Sequence, residues 1–182
     1  MVGYKFDRLK ILTVDANTHA RAVLKTILHA FGVTAICEAA EGRLAWEELC
    51  KVYPDIVFLD WQMPDMSGLE FTKIVRTSPS SPNPFVPIIM LAGHAQTSHV
   101  QRARDAGVTE ILAKPISPKG ILARMTTVIE NPRSFVRTSS YFGPCRRRRN
   151  TEEYRGPDRR MQVVSLASAA DDGFVVAEPG LQ

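Results

Sequence analysis

Four apolar residues, Ile56-Val57-Phe58-Leu59, run straight into a carboxylate, Asp60. After it come Trp61-Gln62-Met63-Pro64-Asp65-Met66 and then Ser67-Gly68-Leu69-Glu70. An uninterrupted apolar run behind Pro54-Asp55 is a strand buried on both faces, which calls for helices above and below a parallel sheet. A carboxylate inside such a strand would be costly, so Asp60 belongs at the strand's exit, facing a crevice. Ser67 and Glu70 have the spacing of a Ser-x-x-Glu capping box, which opens a helix. The order is therefore strand, acid, turn, helix. It presents one carboxylate at the carboxyl end of a sheet strand, where open α/β folds place their chemistry.

The same alternation runs through residue 130. Leu9 to Val14 predicts a first strand, followed at once by Asp15. Thr18 to Phe31 has helical periodicity, with Ala20, Val23, Leu24, Ile27, Leu28 and Phe31 on one face and Gly32 as its stop. Thr34 to Ala39 predicts the second strand, residues 42–53 a helix closed by Pro54, and the Asp60 segment the third strand. A helix from Ser67 to about Thr77 leads into a loop rich in breakers, Ser78-Pro79-Ser80-Ser81-Pro82-Asn83-Pro84. Val86 to Leu91 is the fourth strand, Thr97 to Ala106 a more polar helix ended by Gly107, and Glu110 to Ala113 the fifth strand. Ser117 and Pro118 start a last helix, with Ile121, Leu122, Met125, Val128 and Ile129 facing inward. The expected fold is α/β: a doubly wound sheet of five parallel strands with helices on both faces.

Composition narrows the setting. The chain has 182 residues, 45% of them hydrophobic, with no apolar stretch long enough to span a membrane and no signal-peptide core at its start. Cys37, Cys50 and Cys145 suit neither a disulfide framework nor a CxxC metal site, so a reducing cytoplasm is expected. His19, His29, His94 and His99 lack metal-ligand spacing. The net charge of +4 is concentrated, because residues 133–160 hold nine arginines against three acids.

That basic block includes a repeat. Tyr141-Phe142-Gly143-Pro144-Cys145-Arg146-Arg147 recurs as Tyr154-Arg155-Gly156-Pro157-Asp158-Arg159-Arg160. The unit is short and polar, so residues 133–182 are expected to be largely disordered alone. Arg146, Arg147, Arg148, Arg149, Arg159 and Arg160 are candidates for docking an acidic partner. Contact with nucleic-acid phosphates ranks lower, because few aromatics are interleaved and no helix-turn-helix pattern follows.

In a doubly wound sheet the ends of strands one, three, four and five converge, which brings together Asp15, Asp60, Ala92 and Lys114. Two carboxylates and one lysine suit a divalent cation and a phosphoryl group. Hard cations take oxygen ligands, a carboxylate can accept a phosphoryl group, and cations neutralise its charge.

Ile11-Leu12-Thr13-Val14-Asp15, Leu59-Asp60 through Ser67-Gly68, and Ala113-Lys114-Pro115 together resemble the receiver domain of two-component response regulators, the CheY-like family. The resemblance covers roughly residues 8–130 and implies the flavodoxin-like strand order 2-1-3-4-5, for which CheY is a reference case. It implies that Asp60 accepts a phosphoryl group from a histidine kinase or histidine phosphotransfer protein, with Mg²⁺ as cofactor. Asp15 and Asp60 would be metal ligands with the backbone carbonyl of Gln62, Lys114 would contact the phosphoryl group, and the Lys114–Pro115 bond would be cis. The pattern also departs from the family. Ala16 stands where a second acid is usual, with only neutral Asn17 beside it. Ala92 stands where a Thr or Ser hydroxyl is usual, and Ile111 occupies the aromatic switch position.

The function expected is a phosphorelay response regulator that signals through a downstream protein target, by resemblance on the face of helix four, strand five and helix five. A tail of about fifty residues is too small for a standard DNA-binding module with its own core. Two other functions carry different consequences: a phosphorylation-independent adaptor with a degenerate pocket, and a nucleic-acid-binding regulator using the Arg block. Catalysis on a small molecule is not expected, beyond self-phosphorylation from a phosphodonor and slow self-dephosphorylation.

Overall fold

The computed structural model describes residues 6–93, 97–145 and 162–164. Five strands form one parallel sheet: β1 (Lys10–Val14), β2 (Ala35–Ala39), β3 (Ile56–Asp60), β4 (Ile88–Ala92) and β5 (Glu110–Ala113). Their order is β2-β1-β3-β4-β5, the expected one. The central strands β3 and β4 are the continuous apolar runs, and they, with β1 after its exposed Lys10, are buried on both sides.

Five helices cover the sheet: α1 (Thr18–Ala30), α2 (Gly42–Val52), α3 (Gly68–Thr77), α4 (Thr97–Ala106) and α5 (Pro118–Glu130). Because strand side chains alternate, Ile11, Ile56, Phe58, Ile89 and Leu91 face one way and pack on Leu24 and Leu28 of α1 and on Ile121, Met125 and Val128 of α5. Leu12, Val14, Val57, Leu59, Ile88 and Met90 face the other way, towards Ala45 and Leu49 of α2, Phe71 and Val75 of α3, and Ala103 and Ala106 of α4.

Helix punctuation follows the sequence signals. Ser67 and Glu70 form the full capping box of α3. Ser117 Oγ accepts from Gly120 N–H at the start of α5. Gly32 and Gly107 end α1 and α4 with φ of 89° and 94°, in the left-handed region that favours glycine. Two expected core residues are exposed instead: Val23 on α1 and Ile129 on α5. The inward stripe of each helix is narrower than its apolar pattern, and the sheet covers only Leu24 and Leu28 of α1 fully.

Residues 133–145 are not the start of a disordered tail. They supply β6 (Phe135–Arg137) and β7 (Phe142–Pro144), and with β8 (Gln162–Val164) they form an antiparallel sheet of order β7-β6-β8. This sheet does not need a core of its own, because it borrows one. Phe135 is buried and meets the Phe85 ring at 5.1 Å, while Phe142 meets the same ring at 5.3 Å. Gly143 lies against Gly107, where a Cβ would stand only 3.0 Å from the Gly107 Cα. Tyr141 donates its hydroxyl to the Pro144 carbonyl at 2.8 Å, closing the first Tyr-x-Gly-Pro unit on itself. Arg133 donates to Thr109 O at 3.1 Å. The contacts lie before β4 and β5, at the end of the sheet away from Asp60.

The same dock seals Arg76 of α3. Its guanidinium donates to Gly107 O at 3.0 Å and Pro84 O at 2.7 Å and lies 5.2 Å from the centre of the Phe135 ring. Burial lowers its pKa to about 9, which leaves it charged at neutral pH.

Candidate functional site

The parallel register aligns the strand ends. Asp60 stands beside Leu91 and Ala92 beside Ala113, so β3, β4 and β5 release their chains side by side. Trp61 N–H donates to Leu91 O at 3.0 Å, and Lys114 N–H to Ala92 O at 2.8 Å. Asp15 continues β1, its N–H bonded to Ala39 O. Gly68 brings α3 close beneath β3: its N–H donates to Trp61 O at 3.0 Å, and a Cβ there would overlap the Asp60 carbonyl oxygen. The Lys114–Pro115 bond is cis.

These constraints bring Asp15, Asp60 and Lys114 together. Lys114 Nζ lies 2.9 Å from Asp15 Oδ2 and 2.7 Å from Asp60 Oδ1. The Asp15 side chain is 4% exposed and that of Asp60 14%, so the carboxylates are largely shielded from water, while the Lys114 side chain, 30% exposed, reaches the crevice mouth. Burial raises the Asp60 pKa. Lys114 counteracts this in part, and the nearby Asp15 charge adds to it. Burial disfavours the Lys114 ammonium, but its hydrogen bonds to Asp60 and Asp15 outweigh that and raise its pKa. The other oxygen of Asp15 accepts the Asn17 N–H at 2.8 Å. Asn17 does not replace the missing acid, because its side-chain oxygen caps α1 by accepting from His19 N–H and Ala20 N–H.

A cavity of about 360 Å³ opens over Asp60, lined also by Trp61, Gln62, Ala92, Gly93, His99 and Lys114. Ala92 presents a methyl group there and no donor. Ile111 is partly buried against the α2–α3–α4 core. The geometry also places residues that the sequence did not single out. His99 of α4 packs on Trp61 with ring centroids 4.9 Å apart, and Arg102 lies 5.8 Å from the centre of the Trp61 ring. Asp65 accepts from the N–H groups of Gly42 and Arg43, at 2.8 and 2.9 Å, and so caps α2 from the β3–α3 loop. His99 and Arg102 carry no sequence signal, since only the fold brings α4 over Trp61. Arg146 to Arg149, Arg159, Arg160 and His94 lie outside the described residues.

Among the described residues no group of three or more His, Cys, Asp or Glu is placed to hold a metal. The donors that are present fit a hard cation in kind: two carboxylates at the crevice, already sharing the Lys114 ammonium, and the Gln62 backbone beside them. They supply one carboxylate fewer than the usual set, because Ala16 follows Asp15.

The sequence matches the response regulator receiver domain over residues 11–126. The chain belongs to the receiver family. Chemotaxis protein CheY1 of Helicobacter pylori is 31% identical over 122 residues, spanning 66% of this chain and 97% of that protein. The CheY homolog of Campylobacter jejuni is 32% identical, covering 66% of this chain and 92% of its own. The phosphate regulon transcriptional regulatory protein PhoB of Escherichia coli is 28% identical over 120 residues, a match that takes in 51% of PhoB. Among solved structures, chemotaxis response regulator CheY4 of Vibrio cholerae aligns with a TM-score of 0.61 at 31% identity, over 66% of this chain and 98% of CheY4. This receiver is thus a component of two-component signalling. Receivers of the CheY type typically bind Mg²⁺ and act between histidine kinases or phosphotransfer proteins and downstream targets. The match ends at residue 126, so the docked sheet of β6, β7 and β8 lies beyond it. Among the described residues no helix is long and apolar enough to cross a membrane.

Proposed function

We propose that this receiver accepts a phosphoryl group on Asp60 and signals by protein–protein contact. The observation that carries the proposal is the Lys114 ammonium held between the Asp60 and Asp15 carboxylates at the mouth of the sheet. In the transfer, an Asp60 carboxylate oxygen attacks phosphorus and forms the P–O bond of an acyl phosphate. The P–N bond of a donor phosphohistidine breaks, and the departing imidazole takes a proton from water. Lys114 neutralises charge on the phosphoryl oxygens, and burial keeps that interaction strong. Mg²⁺, held by Asp15, Asp60 and the Gln62 backbone carbonyl, would supply further neutralisation when bound. Slow attack of water on the phosphorus breaks the P–O bond to the Asp60 carboxyl oxygen, releases inorganic phosphate and restores the carboxylate, and no other catalysis is proposed.

The donor is a histidine kinase or histidine phosphotransfer protein, and the compartment is the cytoplasm, consistent with three free cysteines. We assign output to the face of α4, β5 and α5. There Arg104, Arg124, Arg133 and Glu110 line a cavity of about 270 Å³ with Val100, Val108 and Ile111; Arg124 is paired with Glu110 at 3.5 Å, and the lining stays net basic, which suits an acidic segment of a target protein.

Intact mass after incubation with acetyl phosphate and Mg²⁺ tests the reaction. One added phosphoryl group is expected, absent from Asp60→Ala. An unmodified parent chain would instead indicate a phosphorylation-independent adaptor.

A further inference from the structure

Phosphorylation of Asp60 has to reach the output face, yet Ala92 has no hydroxyl to follow the phosphoryl group and Ile111 has no ring to swing. A different connection is present. Trp61 follows Asp60 directly, and its backbone is pinned on both sides, by Leu91 O and by Gly68 N–H. Its ring therefore moves with the end of β3. His99 and Arg102, three residues apart on α4, both address that ring, at 4.9 and 5.8 Å. Trp61 and His99 also line the cavity that holds Asp60 and Lys114.

The helix at the other end of this contact is weakly held. Among the described side chains of α4, the small residues Ala103 and Ala106 are the ones that enter the core, so few buried apolar contacts oppose its displacement. The geometry points to Trp61, His99 and Arg102 as the element that carries phosphorylation of Asp60 to α4, an inference that rests on the function proposed above. The phosphoryl group turns the Asp60 carboxylate into an acyl phosphate dianion, adding about one net negative charge to a crevice whose charged neighbours are Asp15 after β1 and Lys114 after β5, while Arg102 of α4 stands over the Trp61 ring at its rim. Lys114 turns to the new oxygens, and Arg102 is drawn from the Trp61 face towards them. The stack rearranges, and α4 shifts with it. His99 and Arg102 are positioning residues in this scheme, acting through the Trp61 ring.

The test is amide hydrogen exchange of residues 97–106 in the full chain, with and without acetyl phosphate and Mg²⁺, compared at equal phosphoryl occupancy measured by intact mass. In the parent, exchange of α4 amides should change several-fold on phosphorylation. The His99→Ala/Arg102→Ala double variant should lose most of that change, and His99→Phe, which keeps a ring against Trp61, should retain it. Both His99 and Arg102 lie outside the buried core, so these variants keep the fold. An α4 response in the double variant equal to that of the parent overturns the inference. So does a phosphorylated parent whose α4 exchange is unchanged, and in that case the reading of Asp60 stands. A parent that takes no phosphoryl group overturns both.

Discussion

Asp60 and Asp15 share the Lys114 ammonium. Burial raises the Asp60 pKa, and the Asp15 charge adds to the effect, so the folded chain holds the Asp60 proton more tightly than the unfolded chain does. The stability this gives is fully present below the unfolded-state pKa and is lost as pH rises through the folded value. Ionised Asp60 is therefore a destabilising group at neutral pH. Asp60→Asn should raise Tm at pH 7 to 8, and the gain should shrink as pH falls into the ordinary carboxylate range. Thermal melts across that range check it, and a gain independent of pH would contradict the electrostatic cause. Ala16 calls for a second substitution. The position is exposed next to Asp15, so Ala16→Asp adds a third carboxylate without entering the core. Ligand charge tunes the affinity of such sites. Mg²⁺, titrated by Trp61 fluorescence, should bind about tenfold more tightly to the variant. An unchanged affinity would mean that Asp15 and Asp60 do not hold a cation together.

Among the elements, α2 shows how the loop after Asp60 has a structural duty besides framing the site. Its own N-cap residue, Glu41, makes no side-chain cap bond, and Asp65 provides the cap from across the chain. Those backbone N–H groups, that of Gly42 first, lower the Asp65 pKa. Asp65→Ala should cost about 1 kcal/mol and lower Tm by roughly 3–4 °C, while Asp65→Asn, which keeps an acceptor, should lose only part of that. A melt in which Ala and Asn behave alike would show that the cap contributes nothing. The helices and strands themselves were legible, because apolar runs, helical stripes and caps are local patterns. The crevice was legible for the same reason: Asp15, Asp60 and Lys114 each end a recognisable strand. The Trp61–His99 pair and the α2 cap were not, since each depends on where a distant segment packs. The strands β6 and β7 were hidden by their length of three residues and by lacking an apolar face able to fold alone.

For the whole molecule, the folding unit is larger than the family match. The parallel sheet with its two core clusters is complete without residues beyond Pro132 except for the dock at its far end. That dock includes a fully buried Phe135, the Phe142 ring and an Arg76 guanidinium that among the described residues meets two carbonyls and no carboxylate. Burying a guanidinium without a carboxylate partner costs free energy, which the Phe135 ring face offsets in part. Ending the chain at Pro132 should therefore have opposing effects. It exposes the Phe85 surface and removes the buried rings, but it also returns Arg76 to water. A single Phe135→Ala leaves Arg76 sealed beside a cavity, and large-to-small changes of that kind cost about 3–5 kcal/mol. The truncated chain should still fold cooperatively, with a smaller loss than Phe135→Ala in the full chain. Urea unfolding of the two proteins decides the matter. A truncated chain less stable than the Phe135→Ala variant would show that Arg76 gains nothing from water and that the dock stabilises through more than its rings.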